Sequence, residues 1–155
     1  MLTKNHQEPT FPHLSLRLCQ VAAQVPRGMP FADVGTDHAY LPVSLVQSGH
    51  TPYAIAVEVR KGPYQRALKA VQEAGLSDRI SVRLGDGLQA LAVGEVHTVV
   101  LAGMGGELMR RLLTAEPEKT LSFQRLVLQP NMASHFVRRA LLAQGWKLCA
   151  EKLVR

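Results

Sequence analysis

Five short apolar runs in this chain each end at an acidic, amide or glycine-rich signature, and helical patterns lie between most of them. That alternation restricts the fold more than any other feature. The run beginning at Phe31 enters Asp33-Val34-Gly35-Thr36-Asp37-His38, and Tyr53 to Val57 ends at Glu58. Ile80 to Leu84 meets Gly85-Asp86-Gly87, Thr98 to Ala102 meets Gly103-Met104-Gly105-Gly106, and Leu126 to Leu128 meets Gln129-Pro130-Asn131. Near-continuous apolar runs of this length are what a parallel strand covered on both faces requires. Between them, Leu14 to Val25 has helical spacing, and Pro42 marks a first helical position in a short helix closed by Ser48-Gly49. Gly62-Pro63 starts a helix whose Tyr64, Ala67, Leu68, Val71 and Ala74 share a face. A further helix runs to about Leu113, another precedes Gln144-Gly145, and Trp146 to Val154 reads as a last strand. The expected fold is α/β, a mainly parallel sheet with helices on both faces.

In such sheets a ligand binds outside the carboxyl ends of the strands, where the strand order reverses. Every signature above falls at such an end. Asp33 and Gly35 suit a cofactor with a cationic amino-acid portion, because glycine permits close backbone approach and a carboxylate attracts an ammonium or sulfonium group. The G-x-G-x-x-G of dinucleotide sites is missing at this corner. Glu58 lies 25 positions after Asp33, close to the roughly 20 at which an acid meets a ribose in nucleotide-binding units. It could accept from both hydroxyls, or be an exposed strand-end acid. Asp86 could accept from the exocyclic amine of an adenine, or bond its own turn. Gly103 to Gly106 could cradle phosphate at a helix N-terminus, or leave room for a transferred group and a flat base, with Met104 as an apolar wall. Asp37 and His38 are the candidates for proton work.

Length and charge bound the rest. With 155 residues the chain is one domain's worth. The organisation expected is a flexible lead-in over residues 1–13 and one domain over 14–155. No apolar stretch approaches a membrane span and no signal core opens the chain, so a cytoplasmic protein is expected. Cys19 and Cys149 lack metal spacing and read as reduced, partly buried thiols; the histidines have no metal-type grouping, and no metal is expected. A net charge of +6 permits attraction to a polyanion such as RNA. The pairs Arg60-Lys61, Arg110-Arg111 and Arg138-Arg139 would equally serve a solvated helix face.

Leu16-Arg17-Leu18, Ala32-Asp33-Val34-Gly35-Thr36-Asp37-His38-Ala39-Tyr40-Leu41-Pro42, Arg83 to Gly87, Ala102 to Gly106 and Leu128 to Asn131 together resemble the bacterial TrmK family. Its members are S-adenosylmethionine-dependent tRNA adenine-N1 methyltransferases acting on A22. The resemblance implies a Rossmann-like class I methyltransferase fold with S-adenosylmethionine as cofactor and tRNA as partner. On it, Asp33, Gly35 and Thr36 line the methionine portion, Glu58 and Val59 the ribose, Asp86 and Gly87 the adenine, and Gly103 and Met104 complete the cofactor set. Tyr40, Gly105, Gly106, Gln129, Pro130 and Asn131 would face the substrate, with Asp37 and then His38 as catalytic residues. A complete sheet of this class has seven strands followed in the family by a helical extension. A sequence stopping at Arg155 is expected to lack the seventh strand and that extension, leaving a sheet edge through which a homodimer could form. The fold alone leaves other acceptors open, as well as an RNA-interaction protein without activity.

Overall fold

A computed structural model describes residues 11 and 13–153. The lead-in expected over 1–13 therefore falls almost wholly outside the described residues, apart from Phe11 and His13. Phe11 is buried and packs edge-on against His50, with ring centroids 5.8 Å apart.

The chain runs α1 (Leu16–Gln24), β1 (Phe31–Val34), α2 (Tyr40–Gln47), β2 (Ala54–Glu58), α3 (Lys61–Glu73), β3 (Ile80–Leu84), a 3-10 turn (Gly87–Ala90), β4 (Thr98–Met104), α4 (Gly106–Thr114), α5 (Pro117–Leu121), β5 (Arg125–Pro130) and α6 (Ser134–Ala143). All five strands are parallel, in the order β3-β2-β1-β4-β5. Two strands are laid outward from β1 on one side before the chain returns to place β4 on the other. The reversal falls between β1 and β4, so the ligand crevice of such a sheet opens at their carboxyl ends.

Strand alternation sorts the core into two layers. Phe31, Ala54, Ala56 and Val100 face Val21, Ala22, Leu41, Leu45, Val46, Ala67 and Val71, which belong to α1, α2 and α3. Ala32, Val34, Ile55, Val57, Val99 and Leu101 face Leu88, Met109, Leu113 and Val137 from the 3-10 turn, α4 and α6. Every residue of β1 and β2 is buried, which is why those runs carry no polar alternation. The outer strand β3 has only Ile80 buried, the rest being half-buried or exposed. His50 serves this core: its Nδ1 accepts from Arg27 at 3.3 Å, which leaves the Nε2 proton to donate to the Val25 carbonyl at 2.6 Å.

The structure departs from the sequence expectation in five places. Residues 146–153 form no strand, and Val154 lies outside the described residues. A strand exists only by pairing, and among the described residues this run has no ladder neighbour; the Trp146 amide instead closes α6 on the Leu141 carbonyl at 3.0 Å. Pro42 is the third residue of α2, not the first, because Ala39 in the left-handed region starts the helix earlier; Pro42 still needs no amide there, since first-turn amides have no helical partner. Strand β4 continues through Gly103 and Met104, with a bulge between Ala102 and Met104. Finally, α5 was unforeseen, and Cys149 is exposed while Cys19 is half-buried.

The corner where β4 enters α4 is closed by a glycine. The Gly106 amide donates to the Met132 carbonyl at 2.8 Å, and a Cβ at Gly106 would lie 2.1 Å from the Ala133 carbonyl oxygen. Both close neighbours are backbone, so relief requires moving the turn that starts α6. We expect Gly106→Ala to lower stability by about 1–3 kcal/mol, read as a lower urea midpoint at unchanged slope; an unshifted midpoint would show that the corner yields freely.

Candidate active site at the carboxyl ends of the strands

The loop from β1 to α2 is held in an unusual conformation by the tip of β2. Gly35, Asp37 and Ala39 all have positive φ, at 79°, 58° and 57°. Such angles cost little for glycine and more for residues with a Cβ, so the last two need outside support. The amides of Gly35 and Thr36 both donate to the Val57 carbonyl, at 2.9 and 3.2 Å, and the Asp37 amide donates to Glu58 Oε1 at 2.7 Å. Arg66 of α3 donates to Asp37 Oδ1 at 3.2 Å. His38 stacks on Tyr40 with centroids 5.1 Å apart and an interplanar angle of 23°.

Beneath this loop lies Asp33, buried in β1. Burial pushes its carboxyl up to about 7, the nearby Glu58 adds to the rise, and the Thr36 hydroxyl, donating at 2.8 Å, and the charge of Arg17 oppose it. An acid held this way is a receptor for a cation, because an ammonium group beside it would supply the charge that lost solvent no longer does. The same shift destabilises the free protein at high pH. The folded state holds the Asp33 proton up to about pH 7 while the unfolded chain releases it near 3.8, so this residue's contribution to stability falls as pH rises between those values and is flat above. We expect Asp33→Asn to gain on the wild type between pH 5 and pH 8 in denaturant titrations. A constant gap across that range would contradict the shift.

Two further acids occupy the same rim. Glu58 is buried at the end of β2 and commits Oε1 to the Asp37 amide, leaving Oε2 as the oxygen for a ligand. Val59, next to it, is exposed. The Gly85 amide donates to the Glu58 carbonyl at 2.8 Å, which brings exposed Asp86 to this edge. Gly87 has another reason to be glycine: it is buried with φ of 60°, and a Cβ there would lie 2.6 Å from Leu112 Cδ2.

The ends of β4 and β5 form the other flank. A Cβ on Gly35 would approach Met104 Cε to 3.1 Å, so the Met104 side chain lies against the β1 loop. The Gly103 amide donates to Gln129 Oε1 at 2.9 Å, and the Asn131 amide to the Met104 carbonyl at 2.9 Å. The amides of Gly103 and Gly106 are both engaged inside the protein; Gly103 serves the bulge and Gly106 the packing of α6, with Gly105 between them.

The structure therefore brings Asp33, Gly35, Thr36, Asp37, Glu58 and Asp86 to one flank and Gly103, Met104, Gly105, Gln129, Pro130 and Asn131 to the other. Asp37 and His38 belong to the first flank, through Glu58 and Arg66, rather than to the β5 tip. Two arginines went unassigned in the sequence reading: Arg66, and Arg17, whose Nη1 donates to Gln129 Oε1 at 2.7 Å. Arg17 lay inside a recognised motif, yet no sequence spacing connects it with Gln129. Among the described residues no cluster of His, Cys, Asp and Glu could hold a metal ion, and no helix is long and apolar enough to cross a membrane.

A doubly wound parallel sheet with acids and glycines gathered at its switch point defines a Rossmann-like domain for a nucleotide-containing ligand. A family model described as a methyltransferase domain matches residues 14–155, and the chain belongs to that family. It is 40% identical over 141 residues to the tRNA (adenine(22)-N(1))-methyltransferase of Bacillus subtilis, covering 91% of this chain and 59% of that protein. A solved structure from Streptococcus agalactiae, described as a member of the NADB-Rossmann superfamily, is 44% identical with a TM-score of 0.89, over 92% of this chain and 64% of that one. A Streptococcus pneumoniae protein described as a putative tRNA (m1A22) methyltransferase, solved in complex with S-adenosyl-L-methionine, is 43% identical with a TM-score of 0.89, over 92% and 67% of the two chains. The chain thus spans 59% of the length of the curated relative.

Proposed function

We propose that this chain is the S-adenosylmethionine-binding domain of a tRNA adenine-N1 methyltransferase, with A22 as its target. The observation that carries the reading is the buried carboxyl of Asp33 at the switch point, with Glu58 at the neighbouring strand tip. These residues fit the cofactor: Asp33 would take the methionine ammonium, Glu58 Oε2 the ribose hydroxyls, and Asp86 the adenine amine. Gly35 and Thr36 line the first of these positions, Val59 the second, and Gly103 and Met104 close the crevice. S-adenosylmethionine, when bound, supplies a methyl group on a sulfonium centre.

The chain's own contribution is to position and to exclude water. An adenine drawn out of the RNA would lie against the β4 and β5 tips, where Gly105 has no side chain, Gln129 and Asn131 offer amide groups and Pro130 an apolar ring. Extruding that base costs a few kcal/mol. His38 and Tyr40 are both partly exposed and stacked, and present a flat face on which a base can lie. Arg60 and Lys61 are exposed on the rim and suit phosphate, whereas Arg110 and Arg138 are engaged by Glu107 and Glu151. Methylation at N1 makes the base a cation, and Asp37 is the carboxylate assigned to that charge, provided it leaves Arg66 when the base arrives.

The test is nucleoside mass analysis of tRNA incubated with the chain and cofactor. We expect 1-methyladenosine, and none when A22 is replaced by guanosine. Its absence from the unaltered tRNA would sink the reading. Asp37→Ala should bind cofactor normally and transfer methyl at least about tenfold more slowly; unchanged turnover removes the charge role from Asp37.

A further inference from the structure

Gln129 is held more firmly than a strand-end glutamine needs to be. Its Oε1 accepts from Arg17 Nη1 at 2.7 Å and from the Gly103 amide at 2.9 Å. Both partners are donors, so the oxygen must face them and the amide has one orientation. Both lone pairs of Oε1 are then used, and Gln129 can offer a ligand only its Nε2 protons. Those protons are poorly satisfied inside the protein: the Pro130 carbonyl and Asn131 Oδ1 lie at 3.5 and 3.4 Å, at the limit of hydrogen bonding.

Arg17 is an expensive way to achieve this unless the orientation matters. It sits in the first turn of α1, after the Ser15 cap, where a cation opposes the helix dipole, and that turn holds no acid. Docking α1 does not require it. Val21, Ala22 and Val25 are buried against the sheet, and Arg125 donates to the Gln24 carbonyl at 3.1 Å to tie the other end of the helix to β5. Gly103, whose φ of 74° favours glycine, lies in van der Waals reach of the guanidinium, a Cβ there falling 3.4 Å from Arg17 Nη1.

We propose that Arg17 is a positioning residue that locks the Gln129 amide so that Nε2 donates to N7 of the acceptor adenine. This rests on the reading that the base lies at the β4 and β5 tips. N1 must stay free to receive the methyl group, which leaves N3 and N7 as ring acceptors. Asn131 Oδ1, beside Nε2, is an acceptor placed for the N6 amine, and N6 neighbours N7 rather than N3. Together the two side chains match an edge of adenine that guanine, with a carbonyl at that position, does not present.

The experiment compares wild type, Arg17→Met, Arg17→Lys, Gln129→Ala and the Arg17→Met/Gln129→Ala double variant, on tRNA carrying adenine or 7-deazaadenine at the target. Each single loss should lower kcat/KM by about tenfold, and the double variant should be no worse than Gln129→Ala, because the residues act as one unit. Arg17→Lys should recover part of the loss. The 7-deaza base should cost wild type about tenfold and Arg17→Met little. Independent losses that multiply, or a 7-deaza penalty that persists in Arg17→Met, would overturn the proposal. The side-chain amide signals of Gln129 in nitrogen-15 spectra supply a readout free of activity: they should shift and exchange faster in Arg17→Met, and unmoved signals would overturn the lock itself. A wild-type chain that methylates no tRNA would fail the functional reading, and the amide signals would still decide whether Arg17 holds Gln129.

Discussion

A carboxyl group buried at the reversal of strand order is the constraint around which this site is arranged. Asp33 lies on the face of β1 that also carries Phe31, in a sheet covered on both sides, and burial raises it to about 7. An uncompensated buried acid is a cost to the fold. The structure lowers that cost with the Thr36 hydroxyl and the charge of Arg17, and leaves the rest for a ligand to supply. Thr36 can reach back only because the chain turns sharply at Gly35, and that turn is held by the Val57 carbonyl and the Glu58 carboxylate of the next strand. The acid that would receive a ribose is thus also the acid that holds the loop above Asp33. One side chain links the shape of the loop to the chemistry of the rim.

How much of this could be read from residues alone follows from the range of each interaction. The strands and their order of burial were legible because a doubly covered parallel strand leaves a local mark, an apolar run, at every one of its residues. That the acids and glycines gather at the carboxyl ends of the strands was legible for the same reason. Gly35 was recognised as a site of close approach, and its neighbour proved to be Met104. The glycines at 87 and 106 carried the same letter for a different cause: each is fitted against a segment distant in sequence, Leu112 in one case and the Ala133 backbone in the other. Composition cannot separate a glycine that makes room for a ligand from one that makes room for the protein. The expected strand at 146 failed because residue composition records a preference, whereas a strand needs a partner.

The left-handed residues Asp37 and Ala39 were equally hidden. Asparagine and aspartate tolerate that region, but alanine does so at a cost of about 1–2 kcal/mol, and nothing local demands it. Ala39 is fully buried in the layer formed with α1 and α2, so packing selects a small residue while the amide bonds to β2 select the turn. The conformation is a property of the assembled loop and strand tip, and neither sequence segment contains it.

The two flanks of the crevice are assembled from different halves of the chain and, on the proposed function, must still act on one pair of reacting atoms. The first half supplies the acids at β1, β2 and β3; the second supplies the glycines and amides at β4 and β5. Parallel register between β1 and β4 fixes their strands, with Asp33 opposite Val100, but register ends where the strands do. Beyond it, alignment depends on side chains that cross the gap. Met104 against Gly35 is one such contact, and it is apolar and adaptable. Arg17 is another, charged and directional, reaching Gln129 on one side while its field is felt at Asp33 on the other. A transfer reaction that depends on in-line geometry loses rate steeply with small misplacement. The polar bridge is therefore the element expected to set that alignment, and the apolar contact the one that accommodates ligand entry.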